Sequence, residues 1–272
     1  MNYRHAFHAG NFADCMKHAL LVWLLHAMQR KPAGLLVLDT HAGAGRYDLS
    51  AGPAERTGEW RAGIARLLDH PPAPLVEYVR LVESLGLYPG SPVLLRALLR
   101  PQDRMACCEL HPEEHAALRR AFARDHQVAV HHRDAWEALG ALLPAPEKRA
   151  LVLIDPPYEA TDEFERLAAG LRTALRRMPN AVVAAWYPIK HRAPVRAFHI
   201  ALRECGLRDV VAAELWLRAP LDAARLNGCG LLVVNPPFGF VTETPSILDA
   251  LLGRLGAGEE GEGIGVERLV DE

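Results

Sequence analysis

The sequence predicts a doubly wound α/β fold, in which the strands of a mostly parallel sheet alternate with helices. The main observation is a set of short, continuously apolar runs, which suit strands covered on both faces. Most of the segments between them have helical spacing of apolar residues. Seven such runs occur, at residues 35–38, 104–108, 128–131, 151–154, 181–186, 210–217 and 229–234. The last two have no clear helix between them, so we expect an antiparallel hairpin at the edge of a seven-stranded sheet.

The connection between the first two predicted strands is abnormally long. Residues 39–103 fill it, although one helix would be enough for a crossover. Helical spacing at 54–69 and 74–85 indicates an insert, and a further helix with Ser91 as a candidate N-cap would return the chain to the sheet. We therefore predict a Rossmann-like core of residues 1–46 and 88–260, a helical insert at 47–87 and a flexible acidic tail at 261–272.

Composition excludes several classes of protein. The chain has 272 residues, half of them apolar, and a net charge of −2, so it lacks the general basic excess of proteins that coat nucleic acid. Five cysteines without a C-x-x-C pair are typical of a reducing compartment. The start of the chain lacks the apolar core of a signal peptide, and the run 19–27 is too short to span a bilayer. We expect a cytoplasmic protein with no membrane contact.

A glycine-containing loop, "LDTHAGAGRY", follows the first predicted strand. A dinucleotide site would need a third glycine where Asp48 stands, and an acid about 20 residues later. The alternative is the D-x-F/H-x-G-x-G loop of enzymes that use S-adenosylmethionine (SAM), with Asp39, His41, Gly43 and Gly45 at the cofactor. An ordinary glycine turn is the third interpretation, and it would stand if no other residues pointed to a ligand.

Acidic residues end four successive predicted strands, at Asp39, Glu109, Asp134 and Asp155. In open α/β sheets, ligands bind at the carboxyl ends of the strands. Glu109 can accept hydrogen bonds from both ribose hydroxyls, and Asp134 can accept one from the amine of the cofactor's adenine. Each acid alone is explained as a surface carboxylate or a helix cap, but their joint placement favours one SAM site.

The tetrapeptide Asp155–Tyr158, "DPPY", resembles the catalytic motif of amino-group methyltransferases, especially adenine-N6 enzymes. An exocyclic amine is a poor nucleophile because its lone pair is delocalised into the ring. The Asp155 carboxylate and the Pro156 carbonyl can accept its two hydrogens, and Tyr158 can stack on an extruded base. The alternative is a proline-rich turn in which Tyr158 only packs.

A second, similar motif, "NPPF", begins at Asn235. It follows the last predicted strand rather than the fourth, so it lies farther from the cofactor loop in the predicted strand order. We assign catalysis to Asp155 and a structural or substrate-facing role to Asn235. His5 and His8 have no Cys or acidic partner at convincing ligand spacing. Sulfonium methyl transfer needs no metal, and we expect none.

Over nearly its full length the chain resembles the bacterial 23S ribosomal RNA adenine-N6 methyltransferase family known as RlmJ. The segments that carry the resemblance are "YRHAFHAGNFADCMKH", "LDTHAGAGRY", "ERTGEW", "YPGSP", "ELHP", "LIDPPYE", "WYP" and "NPP". Two departures are Phe12, where histidine is common, and Ala135, where glycine is common. The resemblance implies a class I SAM-dependent methyltransferase core with a small helical insert.

The resemblance also implies the roles of individual residues. Asp155 would be the catalytic acceptor and Tyr3 would face the substrate. Cofactor contacts are implied at His18, His41, Ser91, Glu109, Asp134 and Asp155. We add the adjacent Lys17 and Ala135 to the cofactor contacts and Arg4 to the substrate contacts, with Arg46, Arg56 and Arg61 as further candidates for binding RNA.

Together these features predict a monomeric enzyme that methylates N6 of one adenine in 23S ribosomal RNA. The RNA would be protein-free or early in assembly. Two alternatives remain open. A DNA adenine-N6 methyltransferase would use the same four residues of the "DPPY" motif. A non-catalytic RNA-binding protein could share the scaffold, although the intact "DPPY" motif and glycine loop argue against it.

Overall fold

The computed structural model describes residues 4–271. Its strands are β1 (Leu36–Asp39), β2 (Arg46–Tyr47), β3 (Tyr88–Pro89), β4 (Arg104–Glu109), β5 (Val128–His132), β6 (Ala150–Ile154), β7 (Val182–Ile189), β8 (Val210–Trp216), β9 (Gly228–Val234) and β10 (Gly263–Val270). Its α-helices are α1 (Phe12–Gln29), α2 (Gly52–Thr57), α3 (Ala65–Leu68), α4 (Val76–Ser84), α5 (Ser91–Leu98), α6 (Pro112–Ala121), α7 (Ala135–Ala141), α8 (Glu163–Arg177), α9 (Arg192–Glu204) and α10 (Phe240–Leu255). Short 3₁₀ turns lie at His5–Phe7, Glu59–Arg61 and Ala73–Leu75.

The main sheet has eight strands in the order β10-β8-β9-β7-β6-β1-β4-β5, and β2 and β3 form a separate pair. Strand β1 lies between β6 and β4 and is parallel to both. The chain first extends the sheet through β4 to β5 and then returns to the other side of β1 with β6 and β7. The direction of winding therefore reverses beside β1, which is where such sheets bind ligands. The predicted doubly wound architecture is confirmed.

Alternate residues of the central strands serve two cores, because successive side chains of a strand point to opposite faces. On one face, Val37 and Leu151 pack with α1, α4, α5 and α10. On the other, Leu38 and Val152 pack with α7, α8 and α9. The continuous apolar runs of the sequence thus belong to strands covered on both sides.

Strand β9 runs opposite to its neighbours. It lies between β7 and β8 and is antiparallel to both, with Val234 opposite Val183. The predicted β8–β9 hairpin is present, but it is not the sheet edge. Because β9 is reversed, its carboxyl end lies beside the amino end of β7. The residues that follow β9 therefore lie at the edge of the sheet opposite to those that follow β6.

The prediction of a flexible tail from residue 261 is wrong for the described residues. Strand β10 (Gly263–Val270) pairs antiparallel with β8 and becomes the edge of the sheet. It satisfies backbone groups of β8 that would otherwise be unpaired, and Leu269 is buried against the core. This strand raises the sheet from the seven predicted strands to eight.

The segment between β1 and β4, where the sequence predicts a helical insert at 47–87, contains α2, α3 and α4. Its helix α3 and the turn at Ala73–Leu75 pack on α10, and α4 packs on α1. Ile64, Leu67 and Leu75 belong to the same core as the apolar face of α1. This packing places the segment beside the carboxyl edge of the sheet.

Candidate active site

A large cavity, of about 1190 Å³, opens along the carboxyl ends of β1, β4, β5, β6 and β7. Parallel strands deliver the loops that follow them to one edge, so residues distant in sequence meet there. Most of the predicted site residues line this cavity: Arg4, Lys17, His41, Gly43, Ser91, Glu109, Asp134, Ala135, Asp155, Pro156 and Tyr158. Tyr3 lies outside the described residues.

The glycine loop turns tightly after β1. Gly43 and Gly45 have φ of 60° and 83°, in the left-handed region that favours glycine. The turn directs the Gly43 N–H at Glu109 Oε2, at 2.8 Å, while the His111 N–H donates to Glu109 Oε1 at 2.7 Å. The Glu109 carboxylate is therefore fixed in the cavity wall by two backbone donors.

Three predicted cofactor residues lie behind the cavity wall instead of forming it: His18, Asp39 and Gly45. Asp39 is fully buried and accepts hydrogen bonds from Ser91 Oγ, at 2.6 Å, and from the His41 N–H. Burial raises the pKa of Asp39 to about 7, although the hydrogen bond from Ser91 opposes this shift. These three residues therefore lie behind the residues that line the cavity, His18 on α1 and Asp39 and Gly45 at the end of β1 and in its turn.

His18 is the most deeply placed of the three. Its ring is fully buried, with Nδ1 3.1 Å from the Tyr88 hydroxyl. Burial lowers the pKa of His18 to about 3, so the ring is neutral at physiological pH. Since α1 presents His18 to the core and Lys17 to the cavity, adjacent residues of one helix have different roles.

Asp155 lies directly after β6, at the centre of the cavity, and is paired with Lys17. The distance from Lys17 Nζ to Asp155 Oδ2 is 2.5 Å, and Nζ is also 3.0 Å from Asp14 Oδ1. Lys17 and Asp14 are both buried on α1. Although burial raises the pKa of Asp14, the charges of His5 and Lys17 hold it well below its usual range. A buried ammonium thus bridges two carboxylates, one of them in the "DPPY" motif.

A chain of hydrogen bonds joins the glycine loop to the "DPPY" loop. His41 Nδ1 lies 3.3 Å from the Asp155 N–H and 2.9 Å from Thr40 Oγ1, and Thr40 Oγ1 also donates to the Leu153 carbonyl. Burial lowers the pKa of His41 to about 4, so the ring is neutral. The two loops that carry the predicted cofactor and catalytic residues are therefore held in one position relative to each other.

Tyr158 is fixed by both its backbone and its ring. Its φ of 52° lies in the left-handed region, which is strained for an aromatic residue. Its hydroxyl donates to the Trp186 carbonyl at 3.0 Å, and its ring contacts Trp186 and Phe164 edge-on. Burial raises the pKa of the Tyr158 hydroxyl well above its usual range, so it stays protonated. Sequence reasoning missed Trp186, which also lines the cavity.

Asn235, for which the sequence predicts a structural or substrate-facing role, lies away from the cavity. Asn235 follows the reversed strand β9 and is absent from the cavity wall. Its Nδ2 donates to the carbonyls of Pro179 and Ala181, at 2.9 and 2.8 Å. Its role is structural: it ties the loop after β9 to the segment that enters β7.

The four arginines predicted to bind RNA are engaged with the protein. Arg4 forms an ion pair with Glu113 at 2.8 Å and is the one of the four that lines the cavity. The others bond to or stack on nearby groups: Arg46 donates to the Leu85 carbonyl, Arg56 lies over the Phe7 ring, and Arg61 pairs with Glu55 and lies over Trp60.

Residues 4–271 contain no grouping of three or more His, Cys, Asp and Glu side chains suited to a metal ion. In the same part of the chain, no helix has the length and apolar character needed to cross a membrane.

Comparisons with known proteins agree with this geometry. The family model described as "Ribosomal RNA large subunit methyltransferase D, RlmJ" matches residues 32–266. The chain is 37% identical over 263 residues to "Ribosomal RNA large subunit methyltransferase J" of Escherichia coli K12, with 94% of each chain covered. The protein of the same name from Haemophilus influenzae is 36% identical over 260 residues, with 92% of each chain covered.

A solved structure extends the comparison to the fold. The crystal structure of protein LPL1258 from Legionella pneumophila superimposes with a TM-score of 0.87 at 34% identity, covering 96% of this chain and 98% of that one. The predicted Rossmann-like methyltransferase fold is confirmed. The chain belongs to the RlmJ family of large-subunit ribosomal RNA methyltransferases.

Proposed function

We propose that the protein transfers a methyl group from SAM to the N6 amine of one adenine in 23S ribosomal RNA. The observation that carries this proposal is the Asp155 carboxylate, held by Lys17 at the centre of a cavity and followed by Pro156 and a fixed Tyr158. The names of the two bacterial relatives support methylation of large-subunit ribosomal RNA.

The wall formed by β1, β4 and β5 fits the cofactor. Glu109 uses each carboxylate oxygen for one backbone N–H, so both oxygens retain a lone pair for ribose hydroxyls. Asp134 caps α7 through Oδ1, which accepts from the Trp136 and Glu137 N–H groups, and leaves Oδ2 for the amine of the adenine. Carboxylates also favour a ligand with a positive charge. When bound there, SAM supplies an electrophilic methyl group on a sulfonium centre.

The residues around Asp155 suit an adenine amine. Lys17 contacts Oδ2 and stabilises the charged carboxylate, which leaves Oδ1 to accept one amine hydrogen. The Pro156 carbonyl would accept the other, and Tyr158 would stack on the base. Drawing both hydrogens into acceptors turns the nitrogen lone pair toward the methyl group. Asp155 need not be a strong base, because the proton becomes acidic only once the nitrogen is methylated.

We further propose that the protein acts as a monomer on RNA that is protein-free or early in assembly. RNA readers favour bases in loops or bulges, and an adenine that is weakly paired costs less to extrude. In an assembled subunit, proteins and folded RNA would restrict access to such a base.

The test compares substrates under one set of conditions. Methyl incorporation from labelled SAM should be measured on protein-free 23S RNA, assembled large subunits and duplex DNA, and the product nucleoside identified. We expect N6-methyladenosine and a preference for protein-free RNA. A preference for duplex DNA would favour the DNA methyltransferase alternative, whereas a preference for assembled subunits would contradict the proposed timing.

A further inference from the structure

The cavity extends beyond Asp155 to the carboxyl ends of β7 and β8. We call four cations that line this part the basic arm: Arg66, Lys190, Arg218 and Arg225. Lys190, Arg218 and Arg225 lie on the opposite side of Asp155 from Glu109 and Asp134, because β7 and β8 lie on one side of β6 in the sheet while β4 and β5 lie on the other. Glu109 and Asp134, together with Arg133, therefore line one end of the cavity, and Lys190, Arg218 and Arg225 line the other.

The topology of the sheet explains how these cations reach the cavity. Strand β9 is antiparallel to both β7 and β8, so β8 runs parallel to β7. The loop at 217–227 therefore projects from the same edge as Asp155 and carries Arg218 and Arg225. Lys190 follows β7 directly. Arg66 comes from helix α3, and its NH1 donates to the Leu255 carbonyl at 3.3 Å.

Within the basic arm, Arg218 is bound to the protein. Its guanidinium makes a two-point contact with Glu259, with Nε and NH2 each at 2.9 Å from a carboxylate oxygen. Its NH1 donates to the Leu226 carbonyl at the other end of the loop. Arg218 therefore holds the shape of the 217–227 loop and has little capacity left for a ligand.

Lys190 and Arg225, in contrast, are available to a ligand. The Lys190 side chain is exposed, and its ammonium is not paired with a carboxylate of residues 4–271. Arg225 is 53% exposed, and its contact with Glu259, at 3.7 Å, is longer than the Arg218 contacts. Glu59, which also lines the cavity, is bound by His8 and Asn11.

Anionic groups, such as phosphates, are the ligands that suit these cations. SAM contains no phosphate. The cavity volume, about 1190 Å³, also exceeds the ~1,000 Å³ upper range for a site that binds one small molecule. An RNA strand whose adenine enters the cavity would carry its own phosphates to the mouth. Phosphate contacts from Arg and Lys set the register of a nucleic acid on a protein.

We propose that Lys190 and Arg225 bind backbone phosphates of the RNA strand beside the target adenosine, on a loop held in place by Arg218. This inference rests on the proposed function and adds the surface that positions the substrate. Lys190 and Arg225, rather than Arg46, Arg56 and Arg61, would then be the principal phosphate contacts, because the latter three lie outside the cavity.

The test uses Lys190→Ala, Arg225→Ala and the double variant. The matched control is Arg172→Ala, because Arg172 is an exposed arginine on α8 outside the cavity wall. The measurements are SAM affinity by calorimetry and kcat/KM on a protein-free 23S RNA fragment over a range of salt concentrations. A Lys190→Arg variant, which keeps the charge, serves as a rescue.

Each single alanine variant should lower kcat/KM about tenfold, as expected for loss of a charge-assisted contact. The plot of log kcat/KM against log salt should become shallower by about 0.7 per lost contact, the value for single strands. SAM affinity should not change, kcat at saturating RNA should be nearly unchanged, and Lys190→Arg should restore most of the loss.

The inference is overturned if the wild type methylates the fragment while the alanine variants match Arg172→Ala in both kcat/KM and salt slope. Loss of SAM affinity in the variants would also overturn it, because the residues would then support the cofactor site. A wild type that binds SAM but does not methylate RNA would instead refute the proposed function.

Discussion

Two segments of this molecule share a sequence pattern but lie at opposite edges of the sheet. The "DPPY" motif follows β6 and the "NPPF" motif follows β9, and both strands are completely buried. Strand β6 is parallel to β1, whereas β9 is reversed. The first motif therefore enters the cavity and the second points away from it. Strand direction, as well as the motif, therefore decides whether these residues can act on a ligand in the cavity.

The contacts of the two segments differ accordingly. Asp155 is paired with the buried Lys17, whereas Asn235 donates to two backbone carbonyls. Tyr158 is held beneath Trp186 by a hydrogen bond, whereas Phe238 is 95% exposed. One segment positions a charge and a ring at a cavity, and the other fastens a loop. Substitutions in both segments should separate these roles.

The largest effect is expected for Asp155→Asn. This change keeps one acceptor oxygen but introduces a donor and removes the charge that pairs with Lys17. Turnover should fall on the order of 100- to 1000-fold, the usual loss when a preorganised polar group is removed from an active site. A single-turnover methylation assay would check this, with SAM binding and thermal unfolding as controls. Near-normal turnover would exclude Asp155 as the catalytic acceptor.

Lys17→Met should have the next largest effect. It leaves Asp14 and Asp155 without their shared cation, and removing one partner of a buried pair typically costs about 3 kcal/mol or more. We expect a lower free energy of unfolding in denaturant and at least about tenfold slower turnover, because the Asp155 carboxylate loses its position. Lys17→Arg is the charge-preserving control. Unchanged stability and turnover in Lys17→Met would show that the ion pair contributes to neither.

Two substitutions of Tyr158 separate the contribution of its hydroxyl from that of its ring. Tyr158→Phe loses only the hydrogen bond to the Trp186 carbonyl and should cost about 1 kcal/mol of stability with turnover near normal. Tyr158→Ala also loses the ring, and one base–aromatic stack is worth about 1–3 kcal/mol, so kcat/KM for RNA should fall about tenfold or more. Steady-state kinetics on both variants would measure this. Equal kcat/KM for the two would mean that Tyr158 does not stack on the base.

The smallest effect on turnover is expected for Asn235→Ala. The carbonyls of Pro179 and Ala181 lose their donor, so the protein should be less stable by about 1–2 kcal/mol. Turnover of the folded protein should stay within about twofold of wild type, because surface substitutions away from a site rarely alter it. Chemical denaturation and single-turnover assays together would check both points. A loss as large as that of Asp155→Asn in a folded, SAM-binding protein would contradict the observed strand arrangement.

Sequence patterns predicted the core strands because buried parallel strands are apolar on both faces. They did not predict β10, because its apolar residues Ile264, Val266 and Leu269 are out of strict alternation, with a register shift after Arg268, and lie among glycines and acids that resemble a mobile tail. The edge of the sheet at which Asn235 lies could not be predicted either, because an apolar run does not reveal whether its strand is parallel or reversed.

The chemistry of the site was predicted in part. Glu109, Asp134 and Asp155 end parallel strands, so their convergence follows from topology. The contact between Lys17 and Asp155 joins residues 138 positions apart, and it depends on how α1 packs on the sheet. The basic arm likewise brings together residues of helix α3, of the loop after β7 and of the 217–227 loop. Local sequence patterns do not show that these three segments meet.

The most direct measurement is a map of N6-methyladenine in 23S ribosomal RNA from cells that carry this gene and from the same cells with the gene deleted. We predict that one adenine loses its methyl group when the gene is deleted. A plasmid copy of the wild type or of Asn235→Ala should restore it, and Asp155→Asn should not. An unchanged map after deletion, or restoration by Asp155→Asn, would contradict the account.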